Sequence, residues 1–154
     1  MSRPPQGGAR GYDRGKKING RKRHLVVDSQ GSVLEVWGSP ADGSDARGAR
    51  GVLEPVLRRY PSARIVIADG AHDKESLVEW LLGEFCGALA CVWRSGTGFG
   101  VLAGRWWVER SFAWLLGCRR LLRCYDRLCE VEACWIEWAC GRWLVRRVAK
   151  EKKC

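Results

Sequence analysis

Residues 63–69 read ARIVIAD, a β-branched run that ends on a carboxylate. The segments on both sides switch to a helical period. Upstream, in SDARGARGVLEPVLRRYP, Val52, Val56 and Arg59 with Leu53 and Leu57 mark the faces of a helix, with Ser44 or Asp45 as its cap and Pro61 as its end. Pro55 falls inside that pattern and marks a break or kink. Downstream, DKESLVEWLLGEF spaces Leu77, Trp80, Leu81 and Glu84 as a helix, with Asp73 as its cap. A short continuous apolar run between two helices reads as a strand buried on both faces. That alternation constrains the fold most: it predicts an α/β domain with a partly parallel sheet flanked by helices.

The remaining segments fit the same class. HLVVDSQGSVLEVWGSP reads as a hairpin turning at Ser29–Gly31 and ending at Pro40. ALACVWR is a short strand, and SGTGFGVLAG a glycine-rich loop without the Lys-Ser/Thr ending of a phosphate-binding loop. RWWVERSFAWLLGCRRLL reads as one amphipathic helix, and EVEACWIEWACGRWLVRRVAK as another with a basic end. Trp106, Trp107, Trp114, Trp135, Trp138 and Trp143 fall on these helices at spacing expected of a core. The first ten residues, MSRPPQGGAR, read as a disordered lead-in, and residues 11–150 as one domain.

Charge narrows the partner. Lys and Arg number 27 against 17 acidic residues, a net of +10. Such a balance favours a polyanion, and nucleic acid is the usual one. Lys16, Lys17, Arg21, Lys22 and Arg23 form one candidate phosphate-binding stripe, and Arg119, Arg120 and Arg123 a second. The eight cysteines contain no C-x-x-C pair, follow no apolar leader and sit largely in apolar runs. They read as reduced thiols used as small hydrophobes, which points to the cytoplasm. No apolar stretch approaches the roughly 20 residues of a membrane span.

Two carboxylates stand out. Asp69 closes a strand, and the carboxyl ends of strands are where α/β sheets collect their sites. An Asp there can also cap the next turn. Glu109 sits among aromatic and aliphatic residues, with Arg105 one helical turn before it. Arg105 can hold the Glu109 rotamer or contact a phosphate. A carboxylate pair on a basic chain suggests metal-assisted phosphoryl transfer, in which acidic side chains hold two ions about 3.5–4 Å apart. Hard oxygen donors select Mg²⁺ or Mn²⁺. Two carboxylates make a thin cage, so a third belongs with them.

Three blocks, GYDRGKKINGRKRHLVVDSQG, IVIADGAHDKESLVEW and GRWWVERSFAWLLGCRRLLRCYDRL, resemble the catalytic domain of bacterial insertion-sequence transposases of the DDE type. The match runs from Gly11 to about Ala149, with the blocks in the family's order and spacing. The resemblance implies a ribonuclease-H-like mixed sheet, DNA strand cleavage and transfer, and a D-D-E triad holding two Mg²⁺ or Mn²⁺ ions. The family's second aspartate falls on Asp69, its glutamate on Glu109, and the arginine before it on Arg105. His72 stands where the family usually has Tyr, while Leu102 and Leu116 replace a tyrosine and a lysine. The first aspartate belongs on a strand ahead of GYDRGKK, and the ten residues there hold no Asp. Asp13 aligns with a loop beyond that strand and Asp28 with the next strand. The expectation is a domain lacking its first strand: a transposase impaired as a lone chain, partnered by DNA and by a homo-oligomer or an upstream transposase fragment. The competing expectation is a catalytically dead remnant that still binds DNA or intact transposase.

Overall fold

The computed structural model describes residues 8–69, 74–92, 103–123 and 125–152, with the backbone alone at Asp69, Lys74, Val92, residues 103–105 and Glu151. The chain runs through β1 (Gly11–Asp13), β2 (Ile18–Val27), β3 (Val33–Pro40), α1 (Asp45–Arg59), β4 (Ile65–Asp69), α2 (Lys74–Phe85), β5 (Ala88–Val92), α3 (Ala103–Leu116) and α4 (Cys129–Glu151). A single 3₁₀ turn at Arg119–Leu121 separates α3 from α4. The architecture is α/β, with helices flanking antiparallel and parallel strand pairings, and it is compatible with a ribonuclease-H-like fold.

β1, β2 and β3 form an antiparallel sheet in that order, and β4 pairs with β5 in parallel. The basic residues Arg21, Lys22 and Arg23 lie in β2, paired from Arg21 onward with β3. The hairpin turn is set by Asp28. Its carboxylate accepts from the backbone N–H groups of Gln30 and Ser32, both at 2.8 Å, and Gly31 takes a left-handed φ of 81°.

α1 begins where the sequence placed it. The Ser44 hydroxyl caps it by accepting from the Arg47 N–H. The helix runs unbroken through Pro55 to Arg59, so the expected break is absent. Pro55 is exposed, which leaves its ring on the solvent side. The helix expected over residues 105–122 ends at Leu116, because Gly117 breaks it and the chain then tightens into the 3₁₀ turn.

Two apolar clusters hold these layers together. Val52, Leu53 and Leu57 of α1 meet Leu77 and Leu81 of α2, with Val26, Val66 and Leu89 from three strands against them. Val36 of β3, Leu115 of α3, Leu121, and Ile136 and Cys140 of α4 form the second. Leu25 and Val26 point to different clusters, as strand alternation requires, so the β2–β3 hairpin lies between α1 and the α3–α4 pair.

Two expectations of burial fail. Ile65 and Ile67 of β4 remain 67% and 42% exposed, so one face of the ARIVIAD strand is not covered. Trp106, Trp114, Trp135 and Trp138 are also exposed, and Trp138 reaches 77%. Burial of smaller residues at the neighbouring helical positions, such as Ser111, Leu115 and Ile136, leaves these rings on outer faces.

Candidate functional site

β4 carries Asp69 to its carboxyl end, in register with Val92 of β5. α3 packs against both β4 and β2. Trp107 and Val108 of α3 line a cavity of about 710 Å³ together with Ile65–Ala68 of β4, Leu25–Val27 of β2 and the Asp28–Ser29 turn; α1 and its cap supply further lining from Ala49 to Tyr60. Glu109 follows Val108 directly and is exposed. The chain therefore brings the element bearing Asp69 and the element bearing Glu109 into contact beside one cavity. The side chains of Asp69 and Arg105, and all of His72 and Leu102, lie outside the described residues.

β2 and β4 both border this cavity, and no described strand pairs with either on that side. Beyond β1, which meets only Ile18–Gly20, the second edge of β2 has no strand partner among the described residues.

Contacts from α3 fix its distance from the hairpin. The Ser111 hydroxyl, fully buried, lies 2.9 Å from the carbonyl oxygens of both Gly31 and Trp107 and donates to them in turn. The Arg110 guanidinium donates to the Gln30 carbonyl and lies 4.8 Å from the Trp114 ring centre. The two residues after Glu109 thus anchor it to the Asp28–Ser32 turn.

Asp28 and Asp13, the two other acids weighed for a ligand role, each close a turn. Asp13 accepts from the N–H groups of Gly15 and Lys16, and the Lys16 bond holds its carboxyl below the ordinary value. Among the described residues no three His, Cys, Asp or Glu side chains gather into a metal-binding group. The donor chemistry of Asp69 and Glu109 suits a hard divalent ion, but the number of donors falls short of a complete cage.

The basic residues divide. Lys16 and Lys17 are exposed at the β1–β2 turn, and Arg119 and Arg123 are exposed around the 3₁₀ turn. The others are engaged within the molecule. Arg23 pairs with Glu132 at 2.7 Å and donates to the Leu121 carbonyl, while Arg21 lies 3.5 Å from the same carboxylate with its side chain 2% exposed. Lys22 pairs with Asp45 at 2.8 Å, and Arg120 with Asp126 at 2.7 Å. A second cavity, of about 350 Å³, is lined by Gln30–Val33, Trp114, Trp143 and the basic residues Arg146, Arg147 and Lys150. Neither basic stripe read from sequence included these last three. Glu132 was also missed, although it shows the same signal as Glu109: an acid within an apolar helical stripe, here one turn before Ile136.

The model of the transposase DDE domain family matches residues 1–144. The chain belongs to that family. A curated protein of Burkholderia cepacia, named as a transposase for insertion sequence element IS402, is 27% identical over 143 residues, covering 88% of this chain and 67% of the relative. No solved structure gives a significant match. DNA is the partner that the transposase family implies.

Proposed function

We propose that this DDE domain carries two members of a metal-binding triad, Asp69 and Glu109, for DNA strand cleavage and transfer. The observation that carries the reading is the packing of α3 on β4, which sets the two acid-bearing elements beside one cavity. Arg105, one helical turn before Glu109, would hold that carboxylate or meet a phosphate. Mg²⁺ or Mn²⁺, two ions in a complete site, would supply charge stabilisation at the attacking and leaving oxygens when bound. Exposed Lys16, Lys17, Arg119 and Arg123 would hold the DNA backbone, while Arg21, Lys22, Arg23 and Arg120 act on DNA only if they leave their present partners.

The cavity between β2 and β4 supports a further part of the reading. A strand laid there would satisfy the two edges that have no strand partner among the described residues, cover part of the β4 face and bring the third carboxylate. Where no such strand is supplied the domain would be an impaired enzyme, and an upstream transposase fragment would be one source of it. The alternative reading is a remnant that binds DNA or intact transposase without cutting. Among the described residues no helix is long and apolar enough to cross a membrane, which agrees with a cytoplasmic site of action.

Mn²⁺ titration followed by water-proton relaxation tests the carboxylate pair without needing activity. D69N and E109Q should each weaken binding by about 10–100-fold. Equal affinity in wild type and both variants would remove the two-carboxylate site. Nicking of supercoiled plasmid by the lone chain with Mn²⁺ would remove the impaired-enzyme part.

A further inference from the structure

The second cavity, of about 350 Å³, lies between the Gln30–Val33 segment, Trp114 of α3 and the second half of α4. Its charge is one-sided. Arg146, Arg147 and Lys150 line it, and among the described residues no acid does. Among the described residues neither Arg146 nor Lys150 has an ion pair anywhere. The helix dipole accounts for Lys150, which stands in the last turn of α4. It does not account for Arg146 and Arg147, which lie before that turn. Like charges one helical turn apart, as Arg146 and Lys150 are, repel. Three cations around one cavity are relieved by an anion.

The walls are aromatic as well as basic. Trp114 and Trp143 have ring centres 5.5 Å apart and planes at 66°. They form a corner rather than a stack, and Trp114 stays 43% exposed although the Arg110 guanidinium lies against it. The corner leaves aromatic surface for another flat group. Arg147 is already oriented: its Nη2 donates to the Gln30 Oε1 at 2.7 Å. Gln30 is neutral, so it positions the guanidinium without cancelling its charge.

An anion joined to a flat ring describes a nucleotide. We propose that this cavity binds one nucleoside phosphate, with its phosphate among Arg146, Arg147 and Lys150 and its base against Trp114 and Trp143. The planar fork of arginine suits phosphate oxygens, and aromatic rings hold bases of any sequence by stacking. The volume falls within the range of small-ligand sites. A base inside a duplex is stacked on both sides, so the unit is either a free nucleotide or part of an unpaired stretch of DNA. Among the described residues the cavity shares no lining residue with the one beside Asp69 and Glu109. The two adjoin at the hairpin turn, where Asp28 and Ser29 line the first and Gln30, Gly31 and Ser32 the second. The strand-borne form of the inference rests on the DNA reading above; the free form does not.

Fluorescence anisotropy of the full chain without metal tests the site. The ligands are a thymidine strand of about eight nucleotides, an abasic strand of equal length and charge, and a duplex. The thymidine strand should bind at least about 10-fold tighter than the abasic one. R146A/K150A removes two exposed side chains and spares the core. It should weaken the thymidine strand by at least about 10-fold and the duplex by less than about 3-fold. W114A should erase the preference for the thymidine strand, with melting curves checking that the variant is folded. Displacement of the strand by thymidine monophosphate assigns a free nucleotide; displacement only by a longer strand assigns unpaired DNA. Equal affinity for thymidine and abasic strands overturns the proposal. So does equal loss of strand and duplex in R146A/K150A, or displacement by inorganic phosphate as effective as by thymidine monophosphate. Duplex binding that needs Lys16 and Lys17 but shows no base preference would remove this pocket and leave the DNA reading. Base preference without duplex binding would do the reverse.

Discussion

Arg23 reaches across 109 positions of sequence to hold Glu132, with its Nε and Nη2 both 2.7 Å from the Oε1 atom. Arg21 meets the other oxygen at 3.5 Å. This ties β2 to α4 through a nearly buried carboxylate shared by two cations. Removing the acid leaves both cations without their charge partner. E132A should therefore destabilise the fold by about 3–5 kcal/mol, read as a lower urea midpoint. A change under about 1 kcal/mol would show that the cations find water instead.

The same ion pairs sort the basic residues by role. K16A/K17A and R119A/R123A should weaken DNA binding, and each pair should lower the slope of log affinity against log salt by about 2. R23A should instead act through stability. Filter binding at several salt concentrations, beside urea curves for each variant, checks the division. A salt slope unchanged by all four exposed-residue substitutions would remove those residues from the DNA surface.

Burial pushes the Cys140 thiol up from 9.0 to about 11, with Cys118 and Glu137 adding to it. The folded state thus keeps this proton more tightly than the unfolded chain. Its contribution to stability is complete below pH 9.0 and is lost as the pH rises through about 11. At pH 8 alkylation of Cys140 should be at least about 100-fold slower than that of a free peptide thiol. Mass-resolved iodoacetamide labelling reads this directly. Labelling at the free-thiol rate would mean that the core around Ile136 opens.

Gly31 holds a φ of 81°, and an added Cβ would run into the Arg110 guanidinium. G31A should cost about 1–2 kcal/mol from the backbone conformation alone. The melting temperature should fall by about 2–8 °C. An unchanged melting temperature would show that the hairpin turn can adopt another form without loss.

Period and punctuation made much of this fold legible. ARIVIAD, HLVVD and VLEVWG became strands, and the Ser44 cap set the start of α1. Gly117 was present in the sequence, but an amphipathic pattern on both sides of it masked the break between α3 and the 3₁₀ turn. The exposed tryptophans were misread for a related reason. Helical spacing shows that residues share a face but not which face turns inward, and on α4 both faces are apolar. At the site, Asp69 and Glu109 could be named because a carboxylate at a strand end or within an aromatic run is costly. The partners of Arg21, Lys22 and Arg23 could not, because an ion pair across 109 residues leaves no local pattern.

The edges of β2 and β4 that have no strand partner among the described residues also bear on how the chain behaves at high concentration. Arg64–Asp69 is β-branched, lacks Pro and Gly, and carries its charges only at its ends. A strand of that kind with one edge left without a partner is a template for other copies of itself. Slow, concentration-dependent aggregation, seeded at β4 and relieved by a charged substitution at Ile67, is the expected hazard of purifying this protein by itself.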